Sequence, residues 1–285
     1  MFTNEGILDL HLHTLPDLFV RSGDALTFAQ RCRDEGMLGF AVKNVLESTA
    51  SHAYYVNQMV PGFRYIGGIC LNYTVGGINP TAVDACLQLG GRIVWMPSGH
   101  SKFHLHLKGA FGNYGTAHRI YLPPNAQGVT ILDEDGQLTQ ETKVVVDLVR
   151  ENNAVLATSH LSPEESLILV RYCKGEGVKT VFTHVLWTPE YSLEVAKEAV
   201  EYGCTIEICA AKFTGVNKTP LAEAVHAIQE IGYQNMIISS DTGNIKNLVP
   251  YEIIRAFGIN LAQNGIPEEH LRFMTHDKPL ELIAD

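Results

Sequence analysis

The stretch ILDLHLH, residues 7–13, is an apolar run that ends in two histidines separated by one leucine. Because side chains alternate between the two faces of a β-strand, His11 and His13 are expected to project from the same face. Two imidazoles side by side at the end of a buried strand can bind one metal ion. A His-x-His pair also arises by chance, so the prediction depends on whether further ligands end later strands.

Candidate ligands do end later apolar runs. His160, His184 and Asp241 each close a stretch typical of a buried strand. Imidazole nitrogens with a carboxylate oxygen suit Zn²⁺, and also Mn²⁺ or Fe²⁺. A single histidine at a strand end is more often structural, and Asp241 has the alternative role of capping residues 242–244. The recurrence of ligands at successive strand ends is what favours a metal site.

Strands and helices alternate along nearly the whole chain, which predicts an α/β fold. Apolar runs predict eight strands, at 7–13, 39–44, 64–71, 92–97, 154–160, 180–186, 204–210 and 236–241. Helices are predicted near 24–36, 49–59, 140–152, 191–202, 250–264 and 267–284, and after the start signals Asn79-Pro80, Ser162-Pro163 and Thr219-Pro220.

This alternation predicts a (β/α)8 TIM barrel formed by one domain of residues 1–285. An open doubly wound sheet is the alternative, but no Gly-rich phosphate-binding motif follows the first strand. In a barrel the carboxyl ends of the strands meet at one mouth, so the predicted ligands should converge there although they are far apart in sequence.

One connection departs from this regular pattern. Residues 98–138 form a long loop between the fourth and fifth strands, and 128–138 predict a small hairpin that turns at Asp135-Gly136. If the loop folds over the mouth, its side chains His100, His104 and Arg119 would bind substrate. For the histidine cluster at 100–106, however, the pattern favours a solvated loop, and the lid over the mouth is the alternative.

Composition excludes several classes of function. The chain has 285 residues, 46% of them apolar, and a net charge of −10, which argues against a nucleic-acid surface and a polybasic membrane contact. Neither a signal peptide nor a run of ~20 apolar residues is recognisable. The six cysteines form no C-x-x-C pair, so we expect buried free thiols and a cytoplasmic protein. A homo-oligomer is compatible with the sequence, which shows no readable interface.

Seven short motifs spread over nearly the whole chain carry a family resemblance. They are DLHLHT (9–14), GM-x-GF-x-x-K (36–43), GGICLN-x-x-x-GG-x-NP (67–80), RIVWMP (92–97), HLSPEE (160–165), THV (183–185) and SSD (239–241). With the predicted ligand set, they are similar to the amidohydrolase superfamily of metal-dependent hydrolases, and within it to a subgroup for which the resemblance specifies no substrate. The resemblance implies a metal held by His11, His13, His160, His184 and Asp241.

The chain departs from the binuclear members of that superfamily. They carry a bridging Lys or Glu at the end of strand four, whereas strand four here ends in Trp95-Met96-Pro97-Ser98. One ion is therefore favoured over two, unless Lys43 or Glu207 bridges. Both lie inside apolar strands, where an unpaired charge is costly. The structural alternatives are an ion pair between them, or one side chain that faces outward near a strand end. The functional alternative is that Lys43 holds a substrate carboxylate or oxyanion while Glu207 orients a ligand or substrate.

These observations predict a metal-dependent hydrolase of a small molecule that cleaves a C–N or C–O bond at a carbonyl, such as an amide, lactam, cyclic imide or lactone. The resemblance makes Asp241 both a ligand and the proton acceptor, and it is the only carboxylate among the proposed ligands. The alternatives are a phosphoesterase resembling the PHP family, a mononuclear lyase or decarboxylase, and a barrel that has lost activity and only binds.

Overall fold

A computed structural model describes residues 2–111, 120–214 and 218–284. Its strands are all parallel, as the near-continuous apolar runs predict for strands covered on both faces. The strands are β1 (Leu8–Leu12), β2 (Gly39–Val42), β3 (Arg64–Ile66), β4 (Gly68–Cys70), β5 (Ile93–Trp95), β6 (Val155–Ala157), β7 (Lys179–Phe182), β8 (Thr205–Cys209) and β9 (Met236–Ser239).

The described strands pair as two sheets, in the orders β1-β2-β3 and β4-β5-β6-β7-β8-β9. Beyond the strand ends, β1 lies beside the chain that follows β9. The Asp241 N–H donates to the His11 carbonyl at 2.8 Å, and the His13 N–H donates to the Thr242 carbonyl at 2.9 Å. These contacts and the α/β alternation fit a TIM barrel, although the strand pairing itself does not run as one continuous ring.

The single strand predicted at 64–71 is wrong, because the chain breaks into β3 and β4 at Gly67. The Gly68 N–H donates to the Thr49 hydroxyl at 2.9 Å, and the Thr49 N–H donates to the Gly68 carbonyl at 2.9 Å. Both backbone groups of Gly68 therefore bond to the segment after β2 instead of continuing a β2 ladder. Gly68 also fits closely, since an added Cβ would lie 2.3 Å from the Ile93 carbonyl oxygen.

Helices fill the connections, and no helix among the described residues is long and apolar enough to cross a membrane. They are α1 (Ala25–Asp34), α2 (Ala50–Met59), α3 (Pro80–Gln88), α4 (Lys102–Lys108), α5 (Gln140–Glu151), α6 (Pro163–Glu176), α7 (Leu193–Glu201), α8 (Ala210–Phe213), α9 (Leu221–Ile231), α10 (Pro250–Gln263), α11 (Glu268–Arg272) and α12 (Lys278–Ile283).

Three helical features differ from the sequence predictions. The expected solvated loop at 100–106 is wrong, since α4 covers most of it, and α8 was not expected at all. The single helix predicted at 267–284 is divided by a π-helical segment, Phe273–Asp277, between α11 and α12. The expectation of buried free thiols is confirmed for all six cysteines.

The long loop is held to neighbouring segments by several hydrogen bonds. The predicted hairpin at 128–138 is reduced to a single antiparallel bridge between Leu132 and Leu138. Upstream of it, the Thr130 hydroxyl donates to the Glu165 carboxylate of α6 at 2.6 Å. Glu165 thus holds the loop as well as the start of its own helix. Residues 112–119 of the predicted loop, with Arg119, lie outside the described residues.

The inner core lies between the strands and is separate from the helical layer. Its buried members include Leu8, Leu10 and Trp95, and Leu282 and Ile283 of α12 pack into it. Leu12 instead belongs to the cluster that joins the strands to the surrounding helices. The side chains of β1 therefore change phase between Leu10 and Leu12.

A β-bulge explains that change of phase. The pairing of β1 with β2 shifts between Asp9 and Leu12, so that three steps along β1 match two along β2. An extra residue in one strand re-aims the side chains that follow it. Leu10 consequently packs in the inner core, while Leu12 turns to the helices and leaves His11 and His13 facing the mouth.

The start of α6 gives a stability prediction. The Ser162 hydroxyl accepts from the Glu165 N–H, and the Glu165 carboxylate accepts from the Ser162 N–H at 2.9 Å, which confirms the predicted capping box. Ser162→Ala should lower the free energy of unfolding by about 1 kcal/mol and the Tm by roughly 2 °C. Ser51→Ala, an exposed serine of α2, is the matched control in thermal unfolding, and equal Tm values for the two variants would contradict this role.

Candidate metal centre

Both histidines of the opening motif lie at the mouth, and each is held by a hydrogen bond from Nδ1. His11 Nδ1 lies 3.1 Å from the Glu207 carboxylate, and His13 Nδ1 lies 2.6 Å from the Lys43 carbonyl oxygen. A carbonyl and an ionised carboxylate can only accept, so both Nδ1 atoms carry the proton. Each Nε2 is then an unprotonated nitrogen, which is the form that binds a metal.

Asp241 faces these two free nitrogens. Its Oδ1 lies 3.4 Å from His11 Nε2 and 3.2 Å from His13 Nε2. Two nitrogens and one carboxylate oxygen therefore converge on one point, and they form a group compatible with a metal ion. The structure brings together three of the five predicted ligands in this way.

The other two predicted ligands lie beside this group, one ring after another. The His184 ring stacks on the His11 ring with centroids 5.2 Å apart, and the His160 ring lies 4.9 Å from that of His184. His160 Nδ1 is 2.9 Å from His104 Nδ1 of α4, so one of these nitrogens donates to the other. Trp187 stacks on His160 with ring centroids 4.3 Å apart and forms the wall of the mouth on this side.

Backbone strain coincides with these residues. His184 has φ 49° and Asp241 has φ 48°, and Ser159, directly before His160, has φ 53°. The left-handed region costs non-glycine residues on the order of 1–3 kcal/mol, and such residues concentrate at functional sites. The strand ends are therefore bent in the places where the predicted ligands turn into the mouth.

Burial favours the neutral form of three imidazoles of the site, those of His13, His160 and His184. It lowers the pKa of His13 to about 3, with the charge of Arg21 acting in the same direction, and the pKa of His184 to about 4. It also holds the pKa of His160 well below the usual value, with Lys43 contributing. Neutral imidazole is the form a metal ion requires, so this environment favours coordination near pH 7.

Both carboxylates of the site are ionised. Burial opposes the charge on Glu207, but contact with His11 outweighs it and lowers the pKa to about 2. Burial likewise opposes the charge on Asp241, but the adjacent imidazoles of His11 and His13 outweigh it and hold its pKa well below the usual range. Asp241 is partly exposed to the mouth, so its carboxylate is available to a ligand.

Glu207 contacts the predicted metal ligands His11 and His184 rather than the buried Lys43. Its carboxylate accepts from His11 Nδ1 and from the His184 N–H at 3.3 Å. Within the described part of the chain no ion pair joins Glu207 to Lys43, so the alternative of a structural ion pair between them is wrong. Cys209 lies near His11 and Glu207, but burial raises the pKa of its thiol well above the usual value, which disfavours it as a ligand.

Two cavities open onto the candidate metal centre. The smaller, of about 250 Å³, is lined by Lys43, His104 and His160. The larger, of about 390 Å³, is lined by Lys212 and Lys218. Both share the following residues: His13, Arg21, His184, Trp187 and Asp241. Lys43, which lines only the smaller cavity, is 1% exposed, so the smaller cavity has a buried lysine in its wall.

The predicted substrate-binding residues fall in three places. His104 lines the smaller cavity. His100 is buried, and its Nδ1 accepts from the Tyr73 N–H at 3.2 Å, so its described contact holds the loop. Arg119 lies outside the described residues.

Two residues of the mouth were missed by the sequence predictions, Arg21 and Trp187. Arg21 lies in the loop after β1, bonded to Asp17 at 2.7 Å, and no local pattern marks it. Trp187 follows His184 by three residues in the loop after β7, and an aromatic residue so close to a predicted ligand was a usable signal.

Comparison with known proteins supports this fold but does not establish the activity. The sequence profile of the Family of unknown function (DUF6282) matches residues 6–207. None of the curated proteins compared with the chain matches it.

Three solved structures illustrate the shared fold. An amidohydrolase from Pseudomonas aeruginosa aligns with a TM-score of 0.63 at 13% identity, covering 99% of this chain and 96% of that one. An organophosphorus hydrolase from Deinococcus radiodurans aligns with a TM-score of 0.59 at 12% identity, and the alignment covers 99% of this chain and 93% of that one. A mutant PTE-like lactonase from Deinococcus radiodurans aligns with a TM-score of 0.59 at 12% identity, and the alignment covers 99% of this chain and 97% of that one. At these identities the likeness shows the fold alone.

Proposed function

We propose that this chain, which belongs to the Family of unknown function (DUF6282), is a metal-dependent hydrolase that uses water to cleave a C–N or C–O bond at the carbonyl of a small molecule. An amide, lactam, cyclic imide or lactone is the proposed substrate. The observation that carries the proposal is the convergence of His11 Nε2, His13 Nε2 and Asp241 Oδ1.

The donor set fits a divalent metal ion. His11 Nε2 is fully buried and has no hydrogen-bond partner among the described residues, and leaving such an atom unsatisfied is costly. A cation bound by His11, His13 and Asp241 would satisfy it. Nitrogen and oxygen donors favour Zn²⁺, with Mn²⁺ or Fe²⁺ as alternatives. We propose one ion, because the second convergent group among the described residues, His11 with Glu207 and Cys209, would need the buried thiol of Cys209, whose pKa is raised well above the usual value. His184 and His160 are the proposed additional ligands.

A bound divalent cation would lower the pKa of a water molecule toward ~7 and polarise the substrate carbonyl. The chain itself moves the proton. The ionised Asp241 carboxylate accepts the proton of the attacking water and later returns it to the leaving nitrogen or oxygen. Lys43 donates a hydrogen bond to the oxyanion that develops on the carbonyl oxygen, and Glu207 and the Lys43 carbonyl keep His11 and His13 oriented.

Related proteins support the reaction class. The similar structures include an amidohydrolase and a PTE-like lactonase, whose names indicate reactions at carbonyl groups. The organophosphorus hydrolase among them supports a second candidate, cleavage of a phosphoester. A PHP-like phosphoesterase uses more metal ligands than the three that converge here. A mononuclear lyase or decarboxylase remains an outcome of the same assays.

The remaining features of the proposal follow from composition. We propose a cytoplasmic enzyme with a closed barrel of residues 1–285 and a small-molecule substrate. The net charge of −10 supports the absence of nucleic-acid and membrane partners. A homo-oligomer is compatible with this proposal.

A hydrolysis panel tests the proposed reaction. Protein loaded with Zn²⁺, and separately with Mn²⁺ or Fe²⁺, is assayed on matched lactones, amides and cyclic imides and on phosphotriesters and phosphomonoesters. Turnover of a carbonyl substrate that disappears with a chelator and returns with metal is the expected result. Turnover of phosphoesters alone would replace the proposal with the second candidate, and carbon dioxide release from carboxylates would replace it with the lyase.

The contact between Glu207 and His11 gives a prediction about affinity. Glu207→Gln keeps the shape of the side chain but removes the charge that fixes the His11 proton on Nδ1. We expect the affinity for Zn²⁺ to fall roughly 10–100-fold. Competition with a chromophoric chelator measures it, with Glu201→Gln on α7 as the exposed control. An unchanged affinity would show that Glu207 does not act through His11.

A further inference from the structure

The larger cavity carries a group of positive side chains that the proposed reaction does not use. We define the cationic lobe as Arg21, Lys212 and Lys218, which line this cavity together with His13 and Asp241 of the metal centre. The lobe stands out in a chain with 31 acidic and 21 basic residues. A ligand that reaches the metal centre through this cavity passes these charges.

The two lysines of the cationic lobe bond to neutral partners. Lys212 Nζ donates to the Trp187 carbonyl at 3.3 Å, and Lys218 Nζ donates to the Asn247 side-chain oxygen at 3.4 Å. Burial lowers the pKa of Lys212, and repulsion from Lys108 and Lys218 lowers it further, while Glu223 acts against them. Positive charge therefore accumulates here without an acidic hydrogen-bond partner for either lysine among the described residues.

Arg21 has a different place in the lobe. Its guanidinium is held by Asp17, with Nη2 2.6 Å from the carboxylate, and its side chain is only 7% exposed. The pair fixes Arg21 at the junction of the two cavities but compensates much of its charge. The uncompensated charge of the lobe thus belongs to Lys212 and Lys218, with the side-chain amides of Asn244 and Asn247 beside them.

We propose that the cationic lobe binds an anionic group of the substrate, a carboxylate or a phosphate, at a point remote from the bond that is cleaved. Charge-assisted hydrogen bonds from lysine to such a group are stronger than neutral ones and would orient the substrate in the cavity. This inference rests on the proposed function and narrows it to carbonyl substrates that carry a second, negatively charged group.

Binding of small anions to the metal-loaded protein tests the inference by calorimetry. The probes are glutarate, its monoamide, and 3-phosphonopropionate, which share one carboxylate and differ at the other end. We expect the protein to bind glutarate or 3-phosphonopropionate roughly tenfold more tightly than the monoamide. The tighter of these two probes identifies the anionic group as carboxylate-like or phosphate-like.

Variants of the two lysines test whether the cationic lobe causes the tighter binding of probes with a second anionic group. Lys212→Gln and Lys218→Gln should each remove most of the preference for the second anion, and Lys212→Arg should keep it. Lys246→Gln, an exposed lysine outside the cavity, should leave it unchanged. Equal binding of all three probes, or equal effects of Lys246→Gln and Lys212→Gln, would overturn the inference.

The same preparations separate this inference from the proposed function. Normal metal content with no preference for the second anion would overturn the anion site and leave the hydrolase standing. Loss of metal binding together with an anion preference that depends on Lys212 would support the anion site and overturn the hydrolase.

Discussion

Replacing His11 and His13 together with alanine should reduce bound metal from about one ion per chain to background and abolish hydrolysis. The double variant removes both nitrogens that face Asp241 Oδ1, at 3.4 and 3.2 Å, and leaves only one donor of the convergent group. Elemental analysis of protein purified without chelators measures the metal, and a hydrolysis assay on the same sample measures activity.

A control is needed to show that the loss of metal is specific to His11 and His13 and does not follow from removing any two histidines. His52→Ala/His226→Ala also removes two imidazoles, but from the helices α2 and α9, and should retain both metal and activity. Circular dichroism establishes that each variant is folded. Full metal content in a folded His11→Ala/His13→Ala variant would contradict the proposed centre.

Asp241→Asn should lower kcat roughly 10²–10⁴-fold while the metal-loaded protein keeps its fold. Asparagine preserves the shape and one oxygen donor, and it tolerates the left-handed backbone at φ 48° better than most residues. Its amide cannot take the proton of the attacking water. The expected loss therefore falls on proton transfer, provided that excess metal compensates for the weaker neutral ligand.

Steady-state kinetics at saturating Zn²⁺ measure this effect. Glu223→Gln, which removes an exposed carboxylate of α9, is the control and should retain kcat. A kcat for Asp241→Asn within about twofold of the wild type, with metal bound, would show that another group accepts the proton, because general acid–base catalysis contributes far more than this.

Local sequence patterns were sufficient to predict most of the strands and helices, but not the register of the strands or the points at which they break. The apolar run at 7–13 predicts β1, yet the bulge between Asp9 and Leu12 depends on pairing with β2. The break at Gly67 likewise depends on Thr49, which bonds both backbone groups of Gly68. The sequence of one strand does not specify which hydrogen bonds the neighbouring segments make to it, so these features require the tertiary structure.

The helix α4 is a different case, because the sequence contained its signals. The spacing of His104 and His106 resembles a strand, and the apolar residues around them, at 103, 105 and 107, alternate with polar ones instead of following a helical period. Ser101, however, accepts from the His104 N–H and begins the helix, and Gly109 ends it at φ 67°. Attention to this cap and terminator would have predicted α4.

The candidate centre was predictable to the level of strand ends. His11, His13 and Asp241 were chosen because each closes an apolar run, and the structure places them together. The partner of Glu207 could not be chosen from the sequence, since 196 residues separate it from His11. Only the arrangement of strands around the mouth brings these two side chains into contact.

One metal ion is proposed to bind between His11, His13 and Asp241. The most direct measurement is an anomalous-difference map from a crystal grown with Zn²⁺ and recorded at the zinc absorption edge. We predict one strong peak about 2.0–2.2 Å from both Nε2 atoms and from the Asp241 carboxylate. A map without a peak there, or with its strongest peak between His104 and His160, would contradict the account.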